Sequence, residues 1–372
     1  MSEPGRTGET QAELATRLIG DRAGAWDVAG CVPDEVIKEL GAAGVLCAQV
    51  PAQYGGLGLS SAANGELTAH VGALCSSTRS LMTSQGMAAW TVQRLGTPAQ
   101  RAAYLPRLTS GETAGVAFSE PGAGSDLSAM TTTVRPDGDE IVLDGTKVWV
   151  TGSRYASMLL VFGRYADGAA AVVVPADAPG VRVETVADPL GCRAAGHSTV
   201  TLTDVRLPRT ALLGAAGQSA ALLVSAALVY GRVSVAWGST GIIRACLAAA
   251  ARHAVSREQG GRRLADHQLV AGHLAEMLVS ERAATHNCVA ASASWDSGSP
   301  DLVSAAVLAK HVAAVEAART SAAAVQVLAS AGTQDGHVVA RAFRDAKVME
   351  IIEGSNEISR LLLADHALAV WA

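Results

Sequence analysis

Two runs of residues have the types and spacing to do chemistry. The first is Phe118-Ser119-Glu120-Pro121-Gly122-Ala123-Gly124-Ser125-Asp126. Its glycines follow a short apolar run, Val116-Ala117-Phe118. Glycine lets a backbone approach a bound group closely, and consecutive amides can form an anion-binding nest. The same residues also describe a tight surface turn. They are not a dinucleotide fingerprint, because Leu127 stands where the third glycine would be. The second run is Glu353-Gly354-Ser355-Asn356-Glu357, at a break between two helical patterns. Val348, Met349, Ile351 and Ile352 precede Glu353. A carboxylate in apolar surroundings resists ionisation, so its pKa rises toward working pH and it can take a weakly acidic, carbon-bound proton. The alternative is a helix-end carboxylate or a surface partner of Lys347.

The elements that must position these runs fall into three zones. Residues 1–113 read as helices with short breaks. Pro33-Asp34-Glu35 opens one helix, since proline suits the first turn and acids its positive end. Thr97-Pro98 opens another that carries Tyr104 and Leu105. Residues 114–213 read as strands, with Asp137-Gly138, Asp144-Gly145 and Asp167-Gly168 as turns. Glu140–Leu143 and Lys147–Thr151 would form a hairpin around Asp144-Gly145. Ala170–Val174, Val181–Val186 and Val200–Val205 add strands. Strands without interleaved helices predict an antiparallel barrel or sandwich. Residues 214–372 return to long helical patterns, at Ser219–Val255, His267–Asp296, Pro300–Ala331, Val338–Ile352 and Asn356–Val370. Long helices with short connections predict an antiparallel bundle.

Composition sets limits. The 372 residues are 49% hydrophobic and 17% charged, enough for a large core in two or three domains. Aromatics are only 4%, so alanine-rich helices must pack closely. A net charge of -5 argues against a nucleic-acid partner. The six cysteines lie far apart with no C-x-x-C pair, which predicts reduced, mostly buried thiols in a cytoplasmic protein and no zinc site. The nine histidines form no ligand set. Ser2–Glu13 is polar and lacks the apolar core of a signal peptide. The most apolar stretch, Ser219–Tyr230, is too short to span a membrane and runs into Arg232.

The run from Val116 to Thr151 resembles the middle domain of acyl-CoA dehydrogenases. Ser119–Asp126 fits their [TS]-E-P-x-A-G-S-D signature, and Lys147-Val148-Trp149-Val150-Thr151 fits the following K-x-[WY]-I-[TS] strand. Other islands follow in the family's order: Pro51–Gly58, Gly191-Cys192-Arg193, Asp204–Pro208, Arg257-Glu258-Gln259 with Gln268, Arg344–Lys347 and Glu353–Glu357. The resemblance implies an α+β fold: an N-terminal helical domain, a central antiparallel β-barrel and a C-terminal four-helix bundle. It implies FAD at their junction. Phe118, Ser119, Gly124, Ser125, Trp149 and Thr151 would bind it from the barrel, with Gly354, Ser355 and Glu357 from the closing turn. Arg257, Gln259 and Gln326 would reach the cofactor of a neighbouring subunit, so a homodimer or homotetramer is implied. Glu353 falls on the catalytic base, while Ser125 and Arg232 would contact substrate.

The chain departs from the family at informative places. Val229 replaces the acid of D-x-x-R that helps hold the CoA arm. Gly260 replaces the phenylalanine of R-x-Q-F-G, Ala329-Ser330 replaces a glycine pair, and Ile352 replaces the tyrosine before the base. These departures fit a short acyl thioester carried on an acyl carrier protein. They also fit an ordinary short-chain acyl-CoA dehydrogenase, or a non-catalytic flavin-binding relative. In style the chain is similar to actinomycete members that build methoxymalonyl extender units for polyketides. The expected reaction removes an α-proton and a β-hydride, with an external electron acceptor.

Overall fold

The structure is a computed structural model that describes residues 9–215 and 217–372. Part of the polar Ser2–Glu13 segment lies outside the described residues. The N-terminal helices are α1 (Gln11–Ile19), α2 (Ala23–Ala29), α3 (Asp34–Ala42), α4 (Ser61–Leu74), α5 (Ser76–Leu95) and α6 (Pro98–Thr109). Local chemistry sets several starts. Thr10 and Thr97 each form a reciprocal capping box with the residue three on, Glu13 and Gln100, and Pro98 occupies the first turn of α6. α5 is buried along most of its length despite its serines and threonines.

The strands are β1 (Ala114–Ala117), β2 (Thr133–Asp137), β3 (Glu140–Val150), β4 (Met158–Tyr165), β5 (Gly168–Pro175), β6 (Val181–Thr185) and β7 (Ser198–Pro208). Asp137-Gly138 and Asp167-Gly168 lie at hairpins as expected, joining β2 to β3 and β4 to β5. Asp144-Gly145 does not. β3 runs through it unbroken, and the pair marks a register shift against β7. A Cβ on Gly145 would meet Thr132 Oγ1 at 2.4 Å, so glycine serves close packing at a bulge.

The antiparallel barrel also needs correction. β1 runs parallel to β4, and β2 meets β4 in parallel at Thr133 and Arg164. The result is a curled, mixed half-barrel ordered β1-β4-β2-β3-β7-β6, with β5 on β4. β4 lies between β1 and β2 and pairs in parallel with both, although β2 and β3 separate it from β1 in the chain. No local pattern announces that choice.

The C-terminal part holds α7 (Ala220–Ser256), a short β8–β9 hairpin (Glu258–Gln259 and Arg262–Arg263), α8 (Gln268–Asp296), α9 (Leu302–Leu328), α10 (Val338–Met349) and α11 (Asn356–Trp371). α7, α8 and α9 pack on one another, α10 lies on α7 and α9, and α11 lies on α9. The expected four-helix bundle is not a separate unit, because α4 and α5 also pack on α7. The reason is that α7 is apolar on all sides and must be covered all round. By length and composition, segments Leu223–Ser256 and Leu302–Thr333 are long and apolar enough to cross a membrane, although each carries charged residues. The first is core: 78% of its most apolar window is buried.

Small residues let these helices touch. Gly65 of α4 faces Trp237 of α7, whose ring is fully buried and donates to Ser292 Oγ at 3.0 Å. A Cβ at Gly65 would lie 2.1 Å from Trp237 Nε1. Gly65→Ala should destabilise the fold by about 1–3 kcal/mol through overpacking. Urea unfolding measures this; an unchanged midpoint would show that the contact gives way freely.

Candidate active site

Glu353 sits where α10 has ended and α11 has not begun. Its φ is +57° and that of Gly354 is +95°, so the chain turns through left-handed backbone before Ser355 caps α11. A non-glycine residue there is strained and must be held by its surroundings. The holders are two buried cations. Arg232 Nε donates to the Glu353 carbonyl at 3.2 Å, and Lys310 Nζ donates to the Gly354 carbonyl at 2.7 Å and that of Glu350 at 3.4 Å. Arg232 is 8% exposed and Lys310 fully buried.

The Glu353 side chain turns inward. The residue is half-buried, but Oε2 is shut off from solvent and has no hydrogen-bond partner. The carboxylate lies against Gly231 and Met87: a Cβ built on Gly231 would meet Glu353 Oε2 at 2.3 Å and Met87 Cε at 2.5 Å. Burial pushes the Glu353 pKa up to about 7, while Arg232, Lys310 and Arg79 restrain the rise. Burial also pulls Lys310 down to about 8. The surface alternative fails, because Lys347 pairs with Glu350 at 3.0 Å.

The first run, Phe118–Asp126, directly follows β1. Glu120 and Ala123 exchange backbone hydrogen bonds at 2.9 and 3.1 Å, which makes a tight turn of Glu120–Ala123. Gly122 and Gly124 do not adopt positive φ and face open space, so the run lacks the geometry of a closed anion nest. Gly124 and Ser125 are exposed. Beneath them lies a buried ion pair, Lys147 Nζ to Glu120 Oε1 at 2.7 Å. Lys147 also donates to the Phe118 carbonyl at 2.9 Å, and Glu120 accepts from the Thr131 and Thr132 amides at 2.6 and 3.0 Å. Burial alone would raise Glu120, but its bonds to Lys147, Thr131 and Thr132 hold it near about 2. Phe118 stacks on Phe162 at 4.3 Å, and Val148 N–H bonds the Ser119 carbonyl at 2.9 Å. The pair thus ties the 118–126 loop to the strand bearing Trp149 and Thr151.

Trp149 is the conspicuous residue of that strand. Its φ is +55° and it remains 56% exposed. A strained, exposed indole beside open glycine backbone fits a flat aromatic cofactor laid against the sheet. Thr151 bonds His197 Nδ1 at 3.1 Å, and the Trp149 and His197 rings meet edge-on at 5.9 Å. Burial lowers His197 to about 4, with Arg79 adding to the effect, so its ring is neutral. Sequence reading missed His197, Lys310 and Arg79, whose significance lies in burial. Thr151 also reaches α5, since its carbonyl accepts from Ser84 Oγ at 3.0 Å.

Other expected residues lie elsewhere. Arg257, Gln259 and Gln326 are exposed, and no hydrogen bond links them to the Glu353 cluster. Glu357 is exposed on the first turn of α11, while Ser355 accepts from Ile358 N–H at 3.4 Å. Val229 is 6% exposed in the bundle core, so no charge stands one turn before Arg232. Among the described residues no group of His, Cys, Asp or Glu could hold a metal.

This fold and site define an acyl-CoA dehydrogenase. Residues 7–112, 115–205 and 221–368 match the family's N-terminal, middle and C-terminal domains. The chain belongs to that family, which is FAD-dependent and oxidises acyl thioesters. It is 31% identical to human mitochondrial short-chain specific acyl-CoA dehydrogenase, over 97% of this chain and 89% of the relative. Among solved structures it is similar to FkbI, described as acting in biosynthesis of the methoxymalonyl extender unit of the Fk520 polyketide. The two are 59% identical, with TM-score 0.93, covering 97% of this chain and 100% of that one. A glutaryl-CoA dehydrogenase from Mycobacterium smegmatis in complex with FADH2 is 25% identical, with TM-score 0.91, covering 97% and 94%.

A base with its pKa near about 7 must be ionised to act, so flavin reduction by substrate should rise with pH through about 7. Stopped-flow traces from pH 5 to 9 measure this, and a midpoint near the ordinary 4.5 of a carboxyl would contradict the buried setting. The same shift makes the native state hold the proton more tightly than the unfolded chain. Glu353 therefore costs the fold stability as pH rises from the ordinary value to about 7. Separately, Lys147→Met strands a buried carboxylate and should cost about 3–5 kcal/mol. The double variant with Glu120→Gln should recover part of that loss in denaturant unfolding.

Proposed function

We propose that the protein is an FAD-dependent dehydrogenase of a short acyl thioester, carried on an acyl carrier protein for a polyketide extender unit of the hydroxymalonyl or methoxymalonyl type. One observation carries the chemistry: Glu353 on strained backbone, with Oε2 buried and unpartnered and its pKa raised to about 7. Glu353 takes the α-proton. Its backbone N–H donates to the thioester carbonyl and stabilises the developing enolate. Arg232 and Lys310 fix the turn so that this amide and the carboxylate face the same carbon. Bound FAD supplies the hydride acceptor for the β-carbon. Phe118, Ser119, Gly124, Ser125, Trp149 and Thr151 hold the cofactor from the sheet, with Gly354, Ser355 and Glu357 from the turn. Ser125 and Arg232 meet the substrate arm. A β-carbon that already bears hydroxyl groups would pass through an enol to an aldehyde or acid.

The likeness to FkbI and the apolar Val229 favour the carrier-protein substrate. Ordinary short-chain acyl-CoA dehydrogenation is the second reading, favoured by the likeness to the human short-chain enzyme. Exposed apolar residues support a homodimer or homotetramer. Leu269 and Val279 of α8 are 86% and 69% exposed, and Trp371 of α11 is 88% exposed. Arg257, Gln259 and Gln326 would then face a neighbour's cofactor. The free, mostly buried cysteines support a cytoplasmic setting.

Glu353→Gln should retain FAD and slow anaerobic flavin bleaching by about 10²–10⁴-fold. An active variant would remove Glu353 from the mechanism. Bleaching by matched short acyl groups only when they are presented on the carrier protein supports the extender-unit reading. Equal or faster bleaching by the CoA forms returns the enzyme to ordinary acyl-CoA dehydrogenation.

A further inference from the structure

His197 immediately precedes β7, at the end of a loop that is fastened to the turn following β3. Gly152 N–H donates to the Ala195 carbonyl at 3.0 Å, and Arg154 N–H to the Gly196 carbonyl at 3.3 Å. Tyr155 Oη donates to the Ala194 carbonyl at 3.0 Å, and Val186 N–H to that of His197 at 2.8 Å. Gly196 turns with φ +63°, and a Cβ there would meet Tyr155 Cε2 at 2.6 Å. The ring is thus delivered to one place. It is 9% exposed, lies edge-on to Trp149 and holds Nδ1 3.1 Å from Thr151 Oγ1. Thr151 is fixed from the other side, where its carbonyl accepts from Ser84 Oγ of α5.

That contact sets the direction of a proton. A neutral imidazole has one nitrogen that donates and one that accepts, and burial keeps this ring neutral. Among the described residues, Nδ1 is the sole partner of the Thr151 hydroxyl. The hydroxyl proton therefore has one acceptor, the Nδ1 lone pair, and the ring proton sits on Nε2. A hydroxyl engaged in this way offers only lone pairs on its remaining side. Donation to the ring also polarises the oxygen and makes it a better acceptor. A flavin gains N–H donors when it is reduced, so a neighbouring oxygen that can only accept favours the reduced form.

We propose that His197 is a positioning residue for the cofactor site: its Nδ1 accepts from the Thr151 hydroxyl, turns that hydroxyl into an obligate acceptor toward bound FAD, and so raises the midpoint potential of the flavin. This rests on the reading that FAD lies against Trp149 and Thr151, and it holds whichever thioester is oxidised. A higher potential makes the flavin a readier hydride acceptor. A phenyl ring at this position would keep the packing on Trp149 but free the hydroxyl to turn and donate to an acceptor atom of the oxidised flavin, which lowers the potential.

The test needs no substrate. Midpoint potentials of the FAD-loaded enzyme come from reductive titration against reference dyes. His197→Phe should shift the oxidised-to-reduced ratio at a fixed dye potential by about 3- to 10-fold toward the oxidised form, at most about 30 mV for a two-electron couple. His197→Asn, whose amide oxygen can accept in place of Nδ1, should recover part of that shift. Thr151→Val should lower the potential at least as far, and His197→Phe should add nothing in that background. An unchanged potential in His197→Phe beside a lowered one in Thr151→Val overturns the proposal. Equal shifts by His197→Phe with and without Thr151→Val also overturn it, as do equal shifts by His197→Phe and His197→Asn, which would make the role one of packing. If His197→Phe does not fold, Thr151→Val still decides: a potential that it leaves unchanged overturns the proposal together with the placement of the flavin at Thr151. A bound flavin that no thioester bleaches would overturn the dehydrogenase reading and leave the potentials to decide on His197.

Discussion

The cost of burying charge governs this molecule. Glu353 is forced into apolar surroundings at a turn whose backbone resists the conformation it holds. Arg232 and Lys310 meet that cost by bonding the carbonyls of the turn instead of the carboxylate. The carboxylate is left without a close partner, and its proton affinity rises to a useful range. Direct pairing with either cation would have held the pKa low and weakened the base. The cations act through the backbone for position and through space for tuning.

A second buried charge pair serves the opposite purpose. Glu120 and Lys147 are closely paired and hydrogen-bonded; the bonds hold Glu120 ionised, while burial lowers the Lys147 pKa and Glu120 opposes that fall. The pair is a fixed point that joins the glycine-bearing loop to β3. Opposite faces of the candidate site thus rest on two treatments of a buried carboxylate, one saturated and one left open. Between them run α5 and α7, brought close by Gly231 and Gly238 and by many alanines. Close packing of small residues is how a chain with few aromatics can seal a site from water.

Much of this was legible in the sequence. The long helices show in their apolar periodicity, and the capping residues mark several of their starts. Glu353 could be suspected from the apolar residues around it and from the glycine that follows. The matching islands gave the family and the cofactor. Asp144-Gly145 misled because the same dipeptide suits a turn and a bulge, and only pairing with β7 decides between them. The parallel β1–β4 pair misled because strand direction depends on connections distant in sequence. Arg79 looked like one more charge on a polar helix.

The sequence by itself determined the helical and stranded zones, the family and the residue types available at the site, because these depend on short-range pattern and composition. Only the tertiary structure decided which charges lie in water and which do not. Arg79, Lys147, Arg232 and Lys310 are ordinary basic residues in the chain, and each became a buried cation with a different partner. Burial and pairing are properties of segments that meet in space, and they set the pKa values and the vacant hydrogen bonds from which the site is built.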